Sequence, residues 1–151
     1  MKGDPFASFT FIFLLKFIGY KILLATLCGG IIGIEREIKN KAAGIRTIIL
    51  ICVGSMIPTT VSFLLSDVYP GMDPTRIIGQ IITGVGFLGA GVIMQDKDKI
   101  IGVTTASFIW VTCGIGILIG TGITPMIPII LTLGVVIISI LLEKIELGIK
   151  K

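Results

Sequence analysis

The sequence predicts an all-α fold, a polytopic bundle of transmembrane helices with about five spans. The mean hydropathy of the 151-residue chain is +1.06, and only 15% of its residues are charged. A soluble domain of this size needs more polar surface, with about 25% charged residues. The apolar residues fall in long uniform runs rather than in alternation. Strands are therefore a poor alternative, because only helices or closed barrels satisfy their backbone in lipid.

Five apolar runs give the predicted spans, and the length predicts one domain over residues 1–151. The runs cover residues 17–34, 45–65, 77–95, 103–122 and 125–142. Each is close to the roughly 20 residues that a helix needs to cross hydrocarbon. Pro58 lies in the middle of the second run, where it predicts a kink. We expect the N-terminal segment to be retained, because its apolar stretch has no signal cleavage site.

Basic residues are unevenly shared between the loops, and this predicts the topology. The first loop, the third loop and the C-terminus carry Arg36, Lys39, Lys41, Arg46, Lys97, Lys99, Lys144, Lys150 and Lys151. In the other two loops, Arg76 is the only basic residue. The positive-inside rule therefore places the C-terminus in the cytoplasm and the N-terminus outside. Lys16 and Lys21 depart from this bias, and both can snorkel toward the outer headgroups if the first span starts late.

The composition excludes several functional classes. The chain has no histidine, which removes Ser-His-Asp and Cys-His catalysis and histidine-ligated zinc. Cys28, Cys52 and Cys113 each lie inside an apolar run without CxxC spacing and are interpreted as small apolar fillers. We therefore expect no enzymatic activity, no cofactor and no metal site. The net charge of +4 is attributed to topology rather than to nucleic-acid binding.

The stretch GVGFLG at residues 84–89 matches the G-x-G-x-x-G spacing of dinucleotide-binding loops. That motif needs a preceding strand, a soluble helix and an acidic residue about twenty positions later. Here the segment belongs to an apolar run, and the residue at the acidic position is Thr104. The glycines are therefore interpreted as helix-packing residues.

On a helix, the third run has a small-residue half and a bulky half. One small stripe contains Gly79, Thr83, Gly86 and Ala90, a second contains Gln80, Gly84 and Gly91, and Gly89 completes the packing set. The bulky half contains Ile77, Ile81, Val85, Leu88 and Val92. Because small residues let helices approach closely in lipid, the pattern predicts that the third helix is central in the bundle. Similar pairs are Gly29 with Gly33 and Gly116 with Gly120.

Polar groups are scarce inside the runs. None of the nine carboxylates lies deep in an apolar run, which argues against a proton-coupled carrier and against a midplane Mg²⁺ cage. The deepest polar residues are Gln80, Thr83, Thr104, Thr105, Thr112 and residues 58–60. These groups either form back-bonding and interhelical hydrogen bonds or line a path for a solute.

Charged residues cluster at the predicted cytoplasmic ends of the spans. The set is Glu35, Arg36 and Glu37 after the first span, Arg46 and Thr47 before the second, and Asp96 after the third. An ion pair of Arg46 with Glu35 or Asp96 at the headgroups would contribute about 0–1 kcal/mol. The cluster is either a topology-setting rim or a docking site for a partner. On the outer side, Asp73 is a predicted N-cap, followed by Pro74 and Arg76.

Four segments of the chain resemble the membrane domain of the MgtC/SapB family. They are, in order, GGIIGIERE, AGIRT, DPTRIIGQIITGVGFLGAGVIM and GVTTASFIWVTCGIGILIGTG. The resemblance implies a bacterial inner-membrane protein of about five helices, linked to growth in low Mg²⁺ and to survival inside host phagocytes. It also implies a regulator that binds other membrane proteins, including the F-type ATP synthase, rather than a Mg²⁺ pump.

The resemblance carries the family's functionally implicated positions to Asp96 and Thr104. It also matches signature residues at Glu35, Arg36, Arg46, Thr47, Asp73, Arg76, Gln80, Thr105 and Trp110. Ile101 stands where the family often has arginine, and Thr104 stands where its best-studied member has asparagine. Longer members continue into a soluble ACT-like C-terminal domain, and we expect none here.

Two functional hypotheses follow. The first is a non-catalytic regulator in the lipid bilayer that binds other inner-membrane proteins or a second copy of itself, as a homo-oligomer such as a dimer. The second is a small channel or transporter for Mg²⁺ or another solute, lined by Gln80, Thr83, Thr104 and Thr105.

Overall fold

The computed structural model describes residues 11–96 and 99–149, with side chains from residue 15 onward. Five helices form a bundle, which confirms the all-α prediction. They are α1 (Phe11–Ile38), α2 (Ile45–Val68), α3 (Thr75–Gly91), α4 (Val103–Thr121) and α5 (Met126–Ile149). A short antiparallel hairpin, β1 (Met94–Asp96) and β2 (Lys99–Ile101), connects α3 to α4. Four of the helices, α1, α2, α4 and α5, are long and apolar enough to cross a membrane.

Helix α2 lies at the centre of the bundle, between α1 and α4. The small residues Gly29 and Gly33 of α1 lie against its backbone, where an added Cβ would stand 2.9 Å from Ile49 Cα and 2.7 Å from Ile45 Cα. On the other side, a Cβ on Gly120 of α4 would stand 2.8 Å from the Met56 carbonyl oxygen. These distances are too short for any side chain. The glycine pairs of α1 and α4 are therefore packing residues, as predicted.

The glycine contacts also set the helix directions. Positions 29 and 33 of α1 meet positions 49 and 45 of α2, so these helices are antiparallel. Positions 116 and 120 of α4 meet Cys52 and Met56 of α2 in ascending order, so α2 and α4 are parallel. Helix α3 must therefore carry the chain back across the bundle, which supports five crossings.

Helix α3 is shorter than predicted, and the predicted span at residues 77–95 is wrong at its end. The helix stops at Gly91, and Gln95 pairs with Ile100 in the hairpin. Its 17 residues rise about 25 Å, against about 30 Å of hydrocarbon. Gly102 connects β2 to α4; it has a positive φ of 91° and lies against the Val92 carbonyl. That conformation favours glycine.

The prediction that α3 is the central helix is also wrong. Its buried residues are Val85 and Gly89, and Gly89 lies against Ala106 of α4. The rest of the predicted packing set is exposed, namely Gly79, Thr83, Gly84, Gly86, Ala90 and Gly91. The bulky side of α3 packs on the bundle instead, because Ile78, Ile81 and Val92 join the core around Val85.

The hydrophobic core lies where α1, α2 and α4 meet. Its fully buried side chains include Ile32, Ile48, Met56, Ile109 and Ile119. Cys28, Cys52 and Cys113 are buried there as free thiols, in agreement with their interpretation as apolar fillers. Pro58 lies inside α2, which continues as one helix to Val68. Helix α5 lies at the edge and buries Pro128 and Thr132.

Candidate functional site

A cluster of charged and polar side chains joins the end of α1 to α5. We call it the Arg36 cluster; it consists of Glu35, Arg36, Lys39, Ser139 and Glu143. The Arg36 side chain donates to Glu35 through Nε, and its Nη2 donates to Glu35 Oε1 at 2.6 Å and to Ser139 Oγ at 3.1 Å. Lys39 Nζ lies 2.5 Å from Glu35 Oε1 and 2.5 Å from Glu143 Oε2. The cluster therefore fixes α5 to α1 through an ion-pair network.

Burial distinguishes this cluster from a surface ion pair. Arg36 is 1% exposed and Glu35 is 8% exposed. The guanidinium carbon of Arg36 lies 3.8 Å from the centroid of the Phe108 ring of α4. Its Nη1 is buried and has no hydrogen-bond partner among the described residues. A charge removed from water in this way depends on its partners, because an unpaired buried charge is costly.

The spacing of the residues along the helices explains how the cluster forms. Glu35 and Lys39 are four residues apart at the end of α1, and Ser139 and Glu143 are four residues apart on α5. Side chains with this spacing lie on one face of a helix. Burial by itself lowers the pKa of Lys39, but its hydrogen bonds to Glu143 and Glu35 outweigh that effect and raise the pKa above its ordinary value.

A cavity of about 450 Å³ lies beside the Arg36 cluster, between α1, α4 and α5. Its polar lining comprises Arg36, Lys39, Lys41, Thr104, Ser107, Ser139, Glu143 and Glu146. Its apolar lining comprises Phe108, Val111, Val135, Ile138 and Leu142. The cavity is therefore lined by both charged and apolar side chains.

At the opposite end of the bundle, Lys21 joins three helices. Its side chain is 4% exposed, and Nζ donates to the Gly120 carbonyl of α4 at 2.7 Å and to Thr60 Oγ1 of α2 at 3.4 Å. The Nζ atom also lies 4.2 Å from the centroid of the Phe17 ring. Snorkelling of Lys21 required a late start of the first span, and α1 begins at Phe11 instead, with Lys21 directed into the bundle. The carbonyls at the end of α4 attract the cation inward.

The predicted ion pair between Arg46 and Glu35 or Asp96 does not form. Among the described residues, Glu35 pairs with Arg36 and Lys39, while Arg46 and Asp96 are exposed and make no ion pair. Arg46 and Thr47 lie in the first turn of α2, and Asp96 ends β1. Glu35 and Arg36 are buried where α1 meets α5, and Ser139 of α5 forms hydrogen bonds with both of them.

Asp73 confirms the predicted helix start. Its Oδ1 accepts hydrogen bonds from the Thr75 backbone N–H at 2.9 Å and from Thr75 Oγ1 at 2.7 Å. These hydrogen bonds hold the pKa of the Asp73 carboxyl below its ordinary value. The regular helix begins at Thr75, after Pro74, and Arg76 follows as an exposed residue.

The remaining predicted polar residues do not converge on one path. Gln80 and Thr83 are exposed on α3, and Thr83 Oγ1 donates to the Gly79 carbonyl. Thr105 is buried on α4, whereas Thr104 is exposed and lines the cavity beside Arg36. An apolar groove of about 540 Å³ lies between α2, α3 and α4 instead. In residues 11–96 and 99–149, no group of three or more Cys, Asp and Glu residues is placed to hold a metal ion.

Comparison with known proteins identifies the family of this chain. A profile of the MgtC family matches residues 22–147. The chain belongs to the MgtC family. It is a multi-pass membrane protein, since four of its helices are long and apolar enough to cross a membrane.

The chain is similar in sequence to three proteins of known name. It is 47% identical over 107 residues to "Putative magnesium transporter YhiD" of Escherichia coli (strain K12). It is 45% identical over 108 residues to "Protein SapB" of Bacillus subtilis and 42% identical over 102 residues to "Protein MgtC" of Salmonella typhimurium. The matches cover 68%, 68% and 67% of this chain and 50%, 47% and 42% of the relatives. The chain thus spans about half the length of these relatives. No solved structure shows a significant match.

Four side chains of this MgtC family member take part in polar contacts between distant segments that sequence reasoning missed. They are Lys21, Lys39, Ser139 and Glu143. The i, i+4 spacing of Glu35 with Lys39 and of Ser139 with Glu143 was a usable signal. No pattern in the sequence pairs the end of α1 with α5, because the two segments are about 100 residues apart.

Proposed function

We propose that the chain is a regulatory protein of the bacterial inner membrane, which binds other membrane proteins through the exposed small-residue face of α3. That face consists of Gly79, Thr83, Gly86 and Ala90. The open space around its glycines carries the proposal, since an added Cβ on Gly79 or Gly86 would meet no atom within 4 Å. The glycine pairs of α1 and α4, in contrast, are filled by α2.

A face of this kind suits a partner helix. In lipid, helices associate through close packing of small residues, because apolar burial by itself gives no advantage there. Beside the face lies a groove of about 430 Å³ between α3 and α4, lined in part by Gly86, Gly89, Ala90 and Trp110. Trp110 is 56% exposed at this groove. Tryptophan is enriched among the residues that contribute most to protein–protein binding.

The proposal places the Arg36 cluster on the cytoplasmic side. The ends of α1 and α5 and the start of α2 lie at that end of the bundle, together with Lys39, Lys41 and Arg46. Basic loops favour the cytoplasm. The N-terminus then lies outside and the C-terminus inside. A cytoplasmic part of the partner meets the exposed charges of Arg46 and Asp96 and the hydroxyl of Thr104, as the family resemblance implies.

The physiological setting that we propose is adaptation to low Mg²⁺. The name of the Escherichia coli relative refers to magnesium transport, and the family resemblance links its members to growth in low Mg²⁺ and to survival in host cells. The F-type ATP synthase and Mg²⁺ transporters are the candidate partners, and a second copy of the chain is a further one.

Transport of Mg²⁺ by the chain itself is the second candidate, and the name of the same relative favours it. The predicted lining residues do not converge in the structure, as described above. Flux into proteoliposomes separates the two functions. A regulator gives no saturable Mg²⁺ flux above that of empty vesicles, whereas robust saturable flux from purified protein would reverse the ranking.

Co-purification from native membranes grown in low Mg²⁺ tests the proposed face. The Gly86→Leu variant fills the face, and Gly134→Leu is its control, because Gly134 of α5 also has no atom within 4 Å of an added Cβ. We expect Gly86→Leu to insert normally and to lose a partner protein that Gly134→Leu and the wild type retain. Identical sets of co-purified proteins for all three would refute the proposal.

A further inference from the structure

We propose that the cavity beside the Arg36 cluster binds a membrane phospholipid. The phosphodiester of the lipid takes the unused donors of Arg36 and Lys41, and an acyl chain follows the apolar wall formed by α4 and α5. This site is separate from the small-residue face of α3, and it does not depend on a partner protein.

The unpartnered nitrogen of Arg36 gives the first reason. Nε and Nη2 are occupied by Glu35 and Ser139, and the Phe108 ring lies over the guanidinium, which fixes its orientation. Nη1 is buried and has no partner in the described part of the chain. A buried charged donor without an acceptor costs more than a neutral one. The phosphodiester oxygen of a bound lipid would provide that acceptor, after a small adjustment of the cavity wall around Nη1.

Lys41 gives the second reason. It lines the same cavity, is exposed, and forms no ion pair with any residue that the structure describes. Thr104 contributes a hydroxyl to the lining. Together, Arg36, Lys41 and Thr104 surround the cavity with donors that intramolecular contacts leave available.

The charge balance favours a lipid over a soluble anion. The cavity lining contains Arg36, Lys39, Lys41, Glu143 and Glu146, and Glu35 pairs with Lys39, which makes three cations and three carboxylates. Because the formal charges cancel, the cavity does not concentrate free phosphate. A phospholipid gains additional binding energy from its apolar part.

Apolar side chains of α4 and α5 would contact the acyl chain of the lipid. Val111 of α4 and Val135, Ile138 and Leu142 of α5 also line the cavity. A volume of about 450 Å³ falls in the range of ligand sites. Lys41 adds a cation near the membrane surface, where a lysine attracts lipid headgroups. A cavity between α4 and α5 that is lined by both charged and apolar side chains can contact both parts of a lipid.

Native mass spectrometry of the purified full chain tests the proposal. The detergent-solubilised protein is titrated with phosphatidylglycerol, with phosphatidylethanolamine and, separately, with inorganic phosphate. We expect a retained phospholipid that inorganic phosphate neither replaces nor displaces. Lys41→Gln should weaken lipid binding about fivefold, the effect of one lysine at the membrane surface. Its control, Lys144→Gln, removes an exposed lysine that does not line the cavity and should leave binding unchanged.

A second variant tests the apolar part of the site. Val135→Phe fills the wall without touching an ionic group, and it should reduce lipid retention while phosphate binding stays absent. Equal lipid binding by the wild type, Lys41→Gln and Val135→Phe would overturn the proposal. Displacement of the bound lipid by inorganic phosphate alone would overturn the assignment to a lipid.

Discussion

The contact of Gly33 with α2 allows a quantitative test of the packing. An alanine at this position would place its Cβ 2.7 Å from the Ile45 Cα and 3.2 Å from the Ile45 carbonyl oxygen. Favourable contacts between carbon atoms lie at about 3.5–4.0 Å. The nearest atoms belong to the backbone, so no rotamer change can relieve the overlap. Helices α1 and α2 would have to separate by up to about 1 Å.

Gly86→Ala provides the matched comparison, because it makes the same chemical change where no atom lies within 4 Å of the new Cβ. Alanine favours a helix over glycine by about 0.8–1.0 kcal/mol, and both variants gain this amount. Gly33→Ala also incurs the cost of overpacking, about 1–3 kcal/mol. We therefore expect Gly33→Ala to be less stable than Gly86→Ala by about 1–3 kcal/mol.

Equilibrium unfolding of the purified variants in one detergent, followed by circular dichroism against a titrated denaturant, measures this difference. The wild type should lie between the two variants or close to Gly33→Ala. A Gly33→Ala protein as stable as Gly86→Ala would refute the close approach of α1 to α2.

Two further predictions concern charged groups. Glu35→Gln removes the carboxylate that pairs with buried Arg36 and should lower the free energy of unfolding by about 3–5 kcal/mol. Its control is Arg46→Gln, at an exposed residue without an ion pair in the described part of the chain, and this variant should stay within about 0.5 kcal/mol of the wild type. Equal stabilities of the two variants would contradict the ion-pair network. Asp73 has a lowered pKa because Thr75 donates to its ionised form. The contribution of the Asp73 carboxylate to stability is therefore present above the ordinary pKa and is lost as the pH falls through the folded-state pKa. Asp73→Ala should accordingly be less stable than the wild type at pH 7 and equal to it in strong acid. Thermal unfolding of both proteins across this range checks the sign, and a difference that grows in acid would contradict it.

Much of the bundle follows from the sequence alone. The apolar runs locate all five helices, and the glycine pairs at 29 and 33 and at 116 and 120 correctly mark close helix contacts. The role of α3 does not follow, because a small-residue stripe has the same pattern whether its partner helix lies in the same chain or in another protein. The hairpin was missed because Ile93 and Met94 are apolar and extend the third run past the end of α3, although both are exposed.

The contacts of the charged residues were even harder to predict from the sequence. Hydropathy places Glu35 and Arg36 at the end of a span, and a charge at that position is ordinarily a surface charge. Arg36 is buried against Ser139 and Phe108, which come from two other helices. Lys21 turns inward because the end of α4 presents the Gly120 carbonyl to it. Contacts between distant segments decided both outcomes, and no local pattern reports them.

Site-specific photo-crosslinking in living cells tests the central claim most directly, because it reports what touches the small-residue face of α3. A photoreactive amino acid at Ala90 should give discrete cross-linked products with another protein or a second copy in low Mg²⁺, and the same amino acid at Gly134 of α5 should give none of them. Lipid adducts alone at both positions, or the same protein products at both, would contradict a docking role for α3.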